Sequence, residues 1–237
     1  MTPLRIFGDP EDLGAALADA IVGAYERANG ERFLLGCPGG RSLVSTYRAL
    51  AARGENLDRL VVVMMDEYIG AERDAHYSCR GFAERELVGP LGLRDEQLWL
   101  PDVGAPEEYD ERIAAAGGID LFLLASGASD GHIAFVSPGS SRAGHTSVVE
   151  LADSTRRDNL ATFPAFASLA EVPTHGVSVG LGTIAAARAL RLVLHGAAKR
   201  TATSRLLALD AFDPGWPASI VHEHDDAEIW VDEEALA

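Results

Sequence analysis

Basic residues are scarce in this chain, cysteine is nearly absent, and no apolar stretch runs long. Twenty Lys and Arg face 36 Asp and Glu, for a formal net charge of −16. So acidic a chain argues against nucleic acid or an anionic membrane as partner, because both are bound by basic side chains that displace counterions. An anionic small molecule would need a locally basic pocket. No segment approaches the ~20 apolar residues of a membrane-spanning helix, and the opening MTPLRIFGDPEDL lacks the basic and apolar regions of a secretory signal. The expectation is a soluble, cytoplasmic protein. Cys37 and Cys79 have neither metal-type spacing nor a framework pattern, so both are expected as reduced thiols. No His, Cys and carboxylate set has zinc spacing, and no metal is expected. A nucleophile elbow is missing, and GLGTIA at 180–185 holds only two of the three glycines of a dinucleotide fingerprint.

What is present is a rhythm. With 47% hydrophobic residues, 237 positions can bury one sizeable core, and no proline-rich or low-complexity linker divides the chain, so a single domain over 1–237 is expected. Apolar runs of strand length alternate with helical patterns, the signature of a parallel sheet covered by helices. Asp9 and Pro10 cap and open a helix through EDLGAALADAIVGAYERA. Strand RFLLGC leads into a glycine turn and a helix to about Arg53, LVVVMM (60–65) leads into DEY, and IDLFLLA (119–125) leads into SGASDGH. In an open α/β sheet the carboxyl ends of the strands share one edge, so these three polar turns should converge on one crevice. Farther on, GVSVGLGTI and the segment to Leu209 read as strand, turn, strand and helix, with Lys199 in the last helix's first turn. The tail reads as a short helix and a final strand.

Three places carry chemistry. The turn CPGGRS holds Gly39, Gly40, Arg41 and Ser42 between a strand and a helix, the usual construction of a phosphate cradle. A cradle of backbone N–H groups favours small residues, so Arg41 either points to solvent or is itself a ligand of the anion. Asp66 and Glu67 follow an apolar strand; they are either a solvated strand end or proton-transfer groups, and Glu67 can face the other way from Asp66. Asp130 and His132 flank Gly131 in a tight turn. Turns of this composition are common without function, yet a carboxylate beside an imidazole makes a natural proton relay. His76, His145, His175, His195, His222 and His224 have no comparable setting.

LGCPGGRSLVSTYRAL, VVMMDEYIG, HYSCRGF, DLFLLASGASDGHIAFVSPGSS, VPTHGVSVGLGTIAAARALRLVLHGAAK and PASIVHEHDDAEIWVDEEA together resemble the glucosamine-6-phosphate deaminase/isomerase family, in order and over nearly the whole chain. The broader superfamily includes 6-phosphogluconolactonases, which share the glycine turn and a DGH motif; MDEY and HIAF favour the deaminase branch. The resemblance implies a Rossmann-like three-layer α/β/α sandwich with a mostly parallel sheet and no nucleotide cofactor. It also implies conversion of an amino-hexose 6-phosphate to a ketohexose 6-phosphate and ammonia. Asp66 matches the carboxylate that moves a proton between C2 and C1, and Asp130 with His132 matches the pair that opens the ring. Gly40, Ser42 and Lys199 match the phosphate site.

Three departures stand out. Ser137 occupies the place of a glutamate that completes the relay. An arginine that holds the phosphate falls on or near Ala161, and Arg41 stands where the family's turn has a glycine, which suggests that Arg41 supplies the missing guanidinium. The segment matching an allosteric phosphate site, HTSVVEL, has no basic residue beyond His145, so no such activation is expected. Isomerisation without ammonia loss, the galactosamine epimer as substrate, a lactonase, and a sensor that binds without turnover stay open as alternatives. So does the choice between a monomer and a homo-oligomer.

Overall fold

The computed structural model describes residues 2–163 and 166–237, the side chain of Ala161 excepted. In chain order its strands are β1 Leu4–Phe7, β2 Phe33–Cys37, β3 Leu60–Met64, β4 Asp66–Tyr68, β5 Leu98–Trp99, β6 Leu121–Ala125, β7 Ser147–Glu150, β8 His175–Ser178, β9 Leu190–Leu194 and β10 Ala227–Asp232. The helices are α1 Pro10–Arg27, α2 Val44–Ala52, α3 Cys79–Ala83, α4 Gly89–Leu91, α5 Glu107–Ala115, α6 Asp153–Thr162, α7 Leu181–Ala185, α8 Arg200–Leu207 and α9 Glu233–Leu236.

Seven strands form a wholly parallel sheet in the order β1-β10-β9-β6-β2-β3-β5. The strand residues explain why. FLLGC and LVVVM are buried at every position, as strands covered on both faces must be. Alternation then sorts their side chains into two cores. Leu34, Val61, Val63, Phe122, Leu124, Leu192 and Ile229 face one side, beneath α5, α7 and α8. Phe33, Leu35, Val62, Met64, Leu121, Leu123 and Trp230 face the other, beneath α1 and α2. On α1, Leu13, Leu17 and Ile21 are at most 1% exposed, which stabilises its docking by about 1.5–3 kcal/mol per side chain. This is the three-layer α/β/α arrangement that the resemblance implied.

The chain runs outward from β2 to β3 and β5, then returns to place β6 against the other side of β2. The crevice at such a reversal, beyond the carboxyl ends of the strands, is where open α/β sheets bind ligands.

Two expectations are corrected. DEY is not a turn: Asp66–Tyr68 is the edge of a second, three-stranded antiparallel sheet in the order β4-β8-β7, with Asp66 opposite Ser178. The segment after β8 is the short helix α7 rather than a turn. Both outcomes depend on partners distant in sequence. Met65 N–H donates to Cys37 O at 3.2 Å and Val179 N–H to Met65 O at 2.8 Å, so the chain passes straight from one sheet into the other. Among the described residues no helix is long and apolar enough to cross a membrane.

Candidate active site

The segments after β2, β3 and β6 do meet. A cavity at the carboxyl edge is lined by Gly39, Gly40, Arg41 and Ser42 after β2, by Asp66 on β4, by Ser126, Gly127 and His132 after β6, and by Lys199 after β9. Asp158, Asn159 and Phe163 of the α6 region close it from above.

Asp66 is 5% exposed. Burial pushes its carboxyl up to about 7; the Cys79 thiol works against this and the nearby Glu67 charge with it. The thiol donates to Asp66 Oδ1 at 3.2 Å, and its own ionisation is pushed well above the ordinary range, chiefly by burial. A carboxylate in this state exchanges protons near neutral pH, which suits a group that must both take and return one. Cys37 and Cys79 are both buried and unbridged.

Glu67, expected as a catalytic candidate, is held elsewhere and does not line the cavity. Its Oε1 accepts from Tyr68 N–H and Cys79 N–H, both at 2.9 Å. Its Oε2 accepts from Ser78 Oγ at 3.1 Å and Arg80 N–H at 2.9 Å. The donors from Ser78, Cys79 and Arg80 belong to the start of α3, whose first N–H groups have no partners within the helix. Alternation along β4 turns Glu67 away from the side that Asp66 faces, and there it anchors the helix carrying Cys79.

The turn after β6 is built around one imidazole. Asp130 Oδ1 accepts from His132 N–H at 3.1 Å and lies 2.7 Å from Nδ1, so that nitrogen carries hydrogen and Nε2 is left for exchange. Ser154 Oγ on α6 donates to Asp130 Oδ2 at 2.5 Å. Burial by itself would raise the Asp130 carboxyl; the hydrogen bonds and charge of His132, with Ser154, outweigh it and hold the group well below the usual carboxylate range. Two glycines make the turn possible. A Cβ on Gly127 would lie 2.2 Å from His132 Nδ1, and Gly131, at φ +69°, would drive one to 2.3 Å from the Trp216 ring. Gly131 is therefore a packing and backbone requirement and does not line the cavity. Ala134, two residues past His132, is the described non-glycine residue with positive φ, at 52°.

Across the cavity, Lys199 ends a single 3-10 turn, Ala197–Lys199, immediately before α8 rather than inside it. Its Nζ donates to Ser126 O at 2.6 Å. Burial lowers its affinity for the proton, Asp158 and Asp130 oppose that, and the Arg41 charge adds to it. Arg41 opens another 3-10 turn, Arg41–Leu43, leading into α2; it is exposed while still lining the cavity mouth. The turn is held by Tyr47 OH donating to Pro38 O at 3.0 Å and by His195 Nε2 3.0 Å from Ser42 O. Backbone N–H groups at a helix start, a partly buried ammonium and a guanidinium are a donor set whose chemistry suits a dianion. Within so acidic a chain this is the local basic pocket that an anionic ligand requires.

Ser137 does not line the cavity, and its buried Oγ has no hydrogen-bond partner among the described residues. The side chain of Ala161 lies outside the described residues. Sequence reasoning missed Ser154, Asp158, Asn159 and the support given by His195. Asn159 Nδ2 is buried in the cavity wall with no hydrogen-bond partner among the described residues, a donor suited to a ligand oxygen. The polar run STRRDN was a signal, but nothing in it says which side chains point inward.

Residues 8–230 match the model of the family described as glucosamine-6-phosphate isomerases/6-phosphogluconolactonase. Among curated relatives, the glucosamine-6-phosphate deaminase of Shouchella clausii is 36% identical over 216 residues, covering 87% of this chain and 85% of that protein. That of Pseudarthrobacter chlorophenolicus is 37% identical over 241 residues, with 98% and 90% covered. A solved monomeric glucosamine-6-phosphate deaminase superposes with a TM-score of 0.88 at 27% identity, covering 98% of both chains. The 6-phosphogluconolactonase of Trypanosoma cruzi shares the fold, with a TM-score of 0.76 at 17% identity over 99% of this chain and 96% of that one.

Proposed function

The chain belongs to the glucosamine-6-phosphate isomerase/6-phosphogluconolactonase family, and we infer that its cavity converts an amino-hexose 6-phosphate, glucosamine 6-phosphate first, to ketohexose 6-phosphate and ammonia. The observation that carries this is the pairing across one cavity of a buried carboxylate titrating at about 7, Asp66, with an imidazole held by Asp130. An aldose-to-ketose shift needs both: a base over the C1–C2 edge and an acid at the ring oxygen.

In this reading Gly40, Ser42, Lys199 and Arg41 hold the 6-phosphate. His132 gives its proton to the ring oxygen as the C1–O bond breaks with its electron pair on that oxygen, and solvent takes the proton of the C1 hydroxyl. Asp66 removes the proton from C2 while O1 takes one from solvent, leaving an enolamine, and then delivers the C2 proton to C1, leaving an iminium at C2. Water then adds at C2 and passes a proton to the nitrogen; the C–N bond breaks with its electron pair on nitrogen, releasing ammonia, as the C2 hydroxyl gives its proton to solvent and becomes the ketone. Asp130 keeps the imidazole oriented and offsets its charge when it is protonated. The chemistry calls for no metal or nucleotide.

The test follows ammonia and ketohexose 6-phosphate together, with glucosamine 6-phosphate, galactosamine 6-phosphate and 6-phosphogluconolactone as separate substrates. Equimolar ammonia and ketose from an amino sugar, lost in Asp66→Asn, is the expected result. Acid release from the lactone alone would move the protein to the other branch of its family. Ligand-induced thermal stabilisation without any product would make it a sensor.

A further inference from the structure

The position that the resemblance assigns to a relay glutamate holds Ser137, whose hydroxyl lies off the cavity and touches nothing polar among the described residues. His132 nevertheless has a second carboxylate beside it. One oxygen of Asp158, one of Asp130 and one ring nitrogen of His132 all lie within 4.8 Å of one another. Asp158 lines the cavity and is partly buried. Its Oδ2 accepts from Ala128 N–H at 3.1 Å, inside the same turn that carries the imidazole, while Oδ1 has no described hydrogen-bond partner. Ser154, which clamps Asp130, and Asp158 are one turn apart on α6 and share a face of it. A single helix face thus serves both carboxylates.

We propose that Asp158 is the second carboxylate of the ring-opening relay, supplied from α6 in place of the residue at 137. The assignment rests on the deaminase reading above. Asp158 acts through His132 and is a positioning residue: its free oxygen stabilises the imidazolium before the proton passes to the sugar ring. The charged groups around the imidazole are Asp130 in its own turn and Asp158 on α6, with Lys199 after β9, Arg41 at the mouth and Asp66 on β4 lining the same cavity. The trio also resembles a cation cage, but Asp130 has given Oδ1 to His132 and Oδ2 to Ser154, and the Lys199 ammonium competes for the same space.

Asp158→Asn keeps an oxygen for Ala128 N–H and removes only the charge. With glucosamine 6-phosphate, kcat should fall about 10- to 100-fold. KM and the inhibition constant of inorganic phosphate should stay within about twofold, and the alkaline limb of kcat/KM should move down by about one pH unit. Asp158→Glu should recover part of kcat. Affinity for the open-chain amino alcohol 6-phosphate, which needs no ring opening, should be unchanged. Unaltered kcat and pH profile in Asp158→Asn would overturn the assignment, as would phosphate binding lost with kcat intact, which would make Asp158 a counter-ion of Lys199. An unsubstituted protein that releases no ammonia from either amino sugar phosphate overturns the deaminase reading and this assignment with it, a failure visible before any substitution is made.

Discussion

At the residue scale, Asp66 shows how one environment serves catalysis at the expense of stability. Its carboxyl rises from 3.8 to about 7 because burial penalises the charged form. Since the folded value lies above the unfolded one, its contribution to stability is full below about pH 4 and is lost as pH rises through 7. The difference corresponds to about 4 kcal/mol at most. Asp66→Asn should therefore raise the melting temperature above pH 7 and change little at pH 4, while lowering kcat by about 10²–10⁴-fold. Equal melting temperatures at pH 8 would show that the wild-type carboxylate is not desolvated. As the base must be ionised to act, kcat/KM should fall about tenfold per pH unit below 7. Cys79→Ala, which removes the thiol donor on Oδ1, should move that acid limb to higher pH.

At the element scale, short turns and caps hold the reacting groups. The β6 turn admits an Asp–His pair only because Gly127 and Gly131 lack side chains. Gly131→Ala meets both a positive φ and the Trp216 ring, and should cost about 2–4 kcal/mol in urea unfolding while displacing His132 enough to depress kcat. Cost without any kinetic change would mean that the turn relaxes independently of the imidazole. Glu67 makes the corresponding case for α3. Glu67→Ala leaves Cys79 N–H, Arg80 N–H and Ser78 Oγ without their acceptor, a loss of about 1–3 kcal/mol. Its acid limb should move to higher pH by less than in Cys79→Ala, because loosening the helix that aims the thiol raises the Asp66 carboxyl while removal of the Glu67 charge lowers it.

At the scale of the whole molecule, a net charge of −16 repels the dianionic substrate that the cavity is proposed to bind. Arg41 at the mouth and Lys199 across the cavity make the local exception. Arg41→Ala should raise KM for the sugar phosphate about tenfold and leave kcat within about threefold. An unchanged KM would return Arg41 to the solvent. Arg48 and Arg85, with Glu86, line an adjoining depression that shares Gly40, Arg41 and Phe82 with the cavity.

The parts legible in the sequence were those encoded by neighbours along the chain. Continuous apolar runs such as LVVVM mean strands covered on both sides, and each ends in a polar segment whose residues, CPGGRS, MDEY and SGASDGH, announce chemistry at the sheet's carboxyl edge. Parallel strands share that edge, so convergence followed without coordinates. Tertiary structure alone decided what depended on docking between distant segments. DEY became a strand because β8 offered it partners, and Glu67 became a cap because α3 folded back onto it. Ser154 and Asp158 reached the imidazole because α6 lies across the cavity. No local periodicity records such encounters: a carboxylate on a polar helix face reads the same whether that face meets water or a histidine.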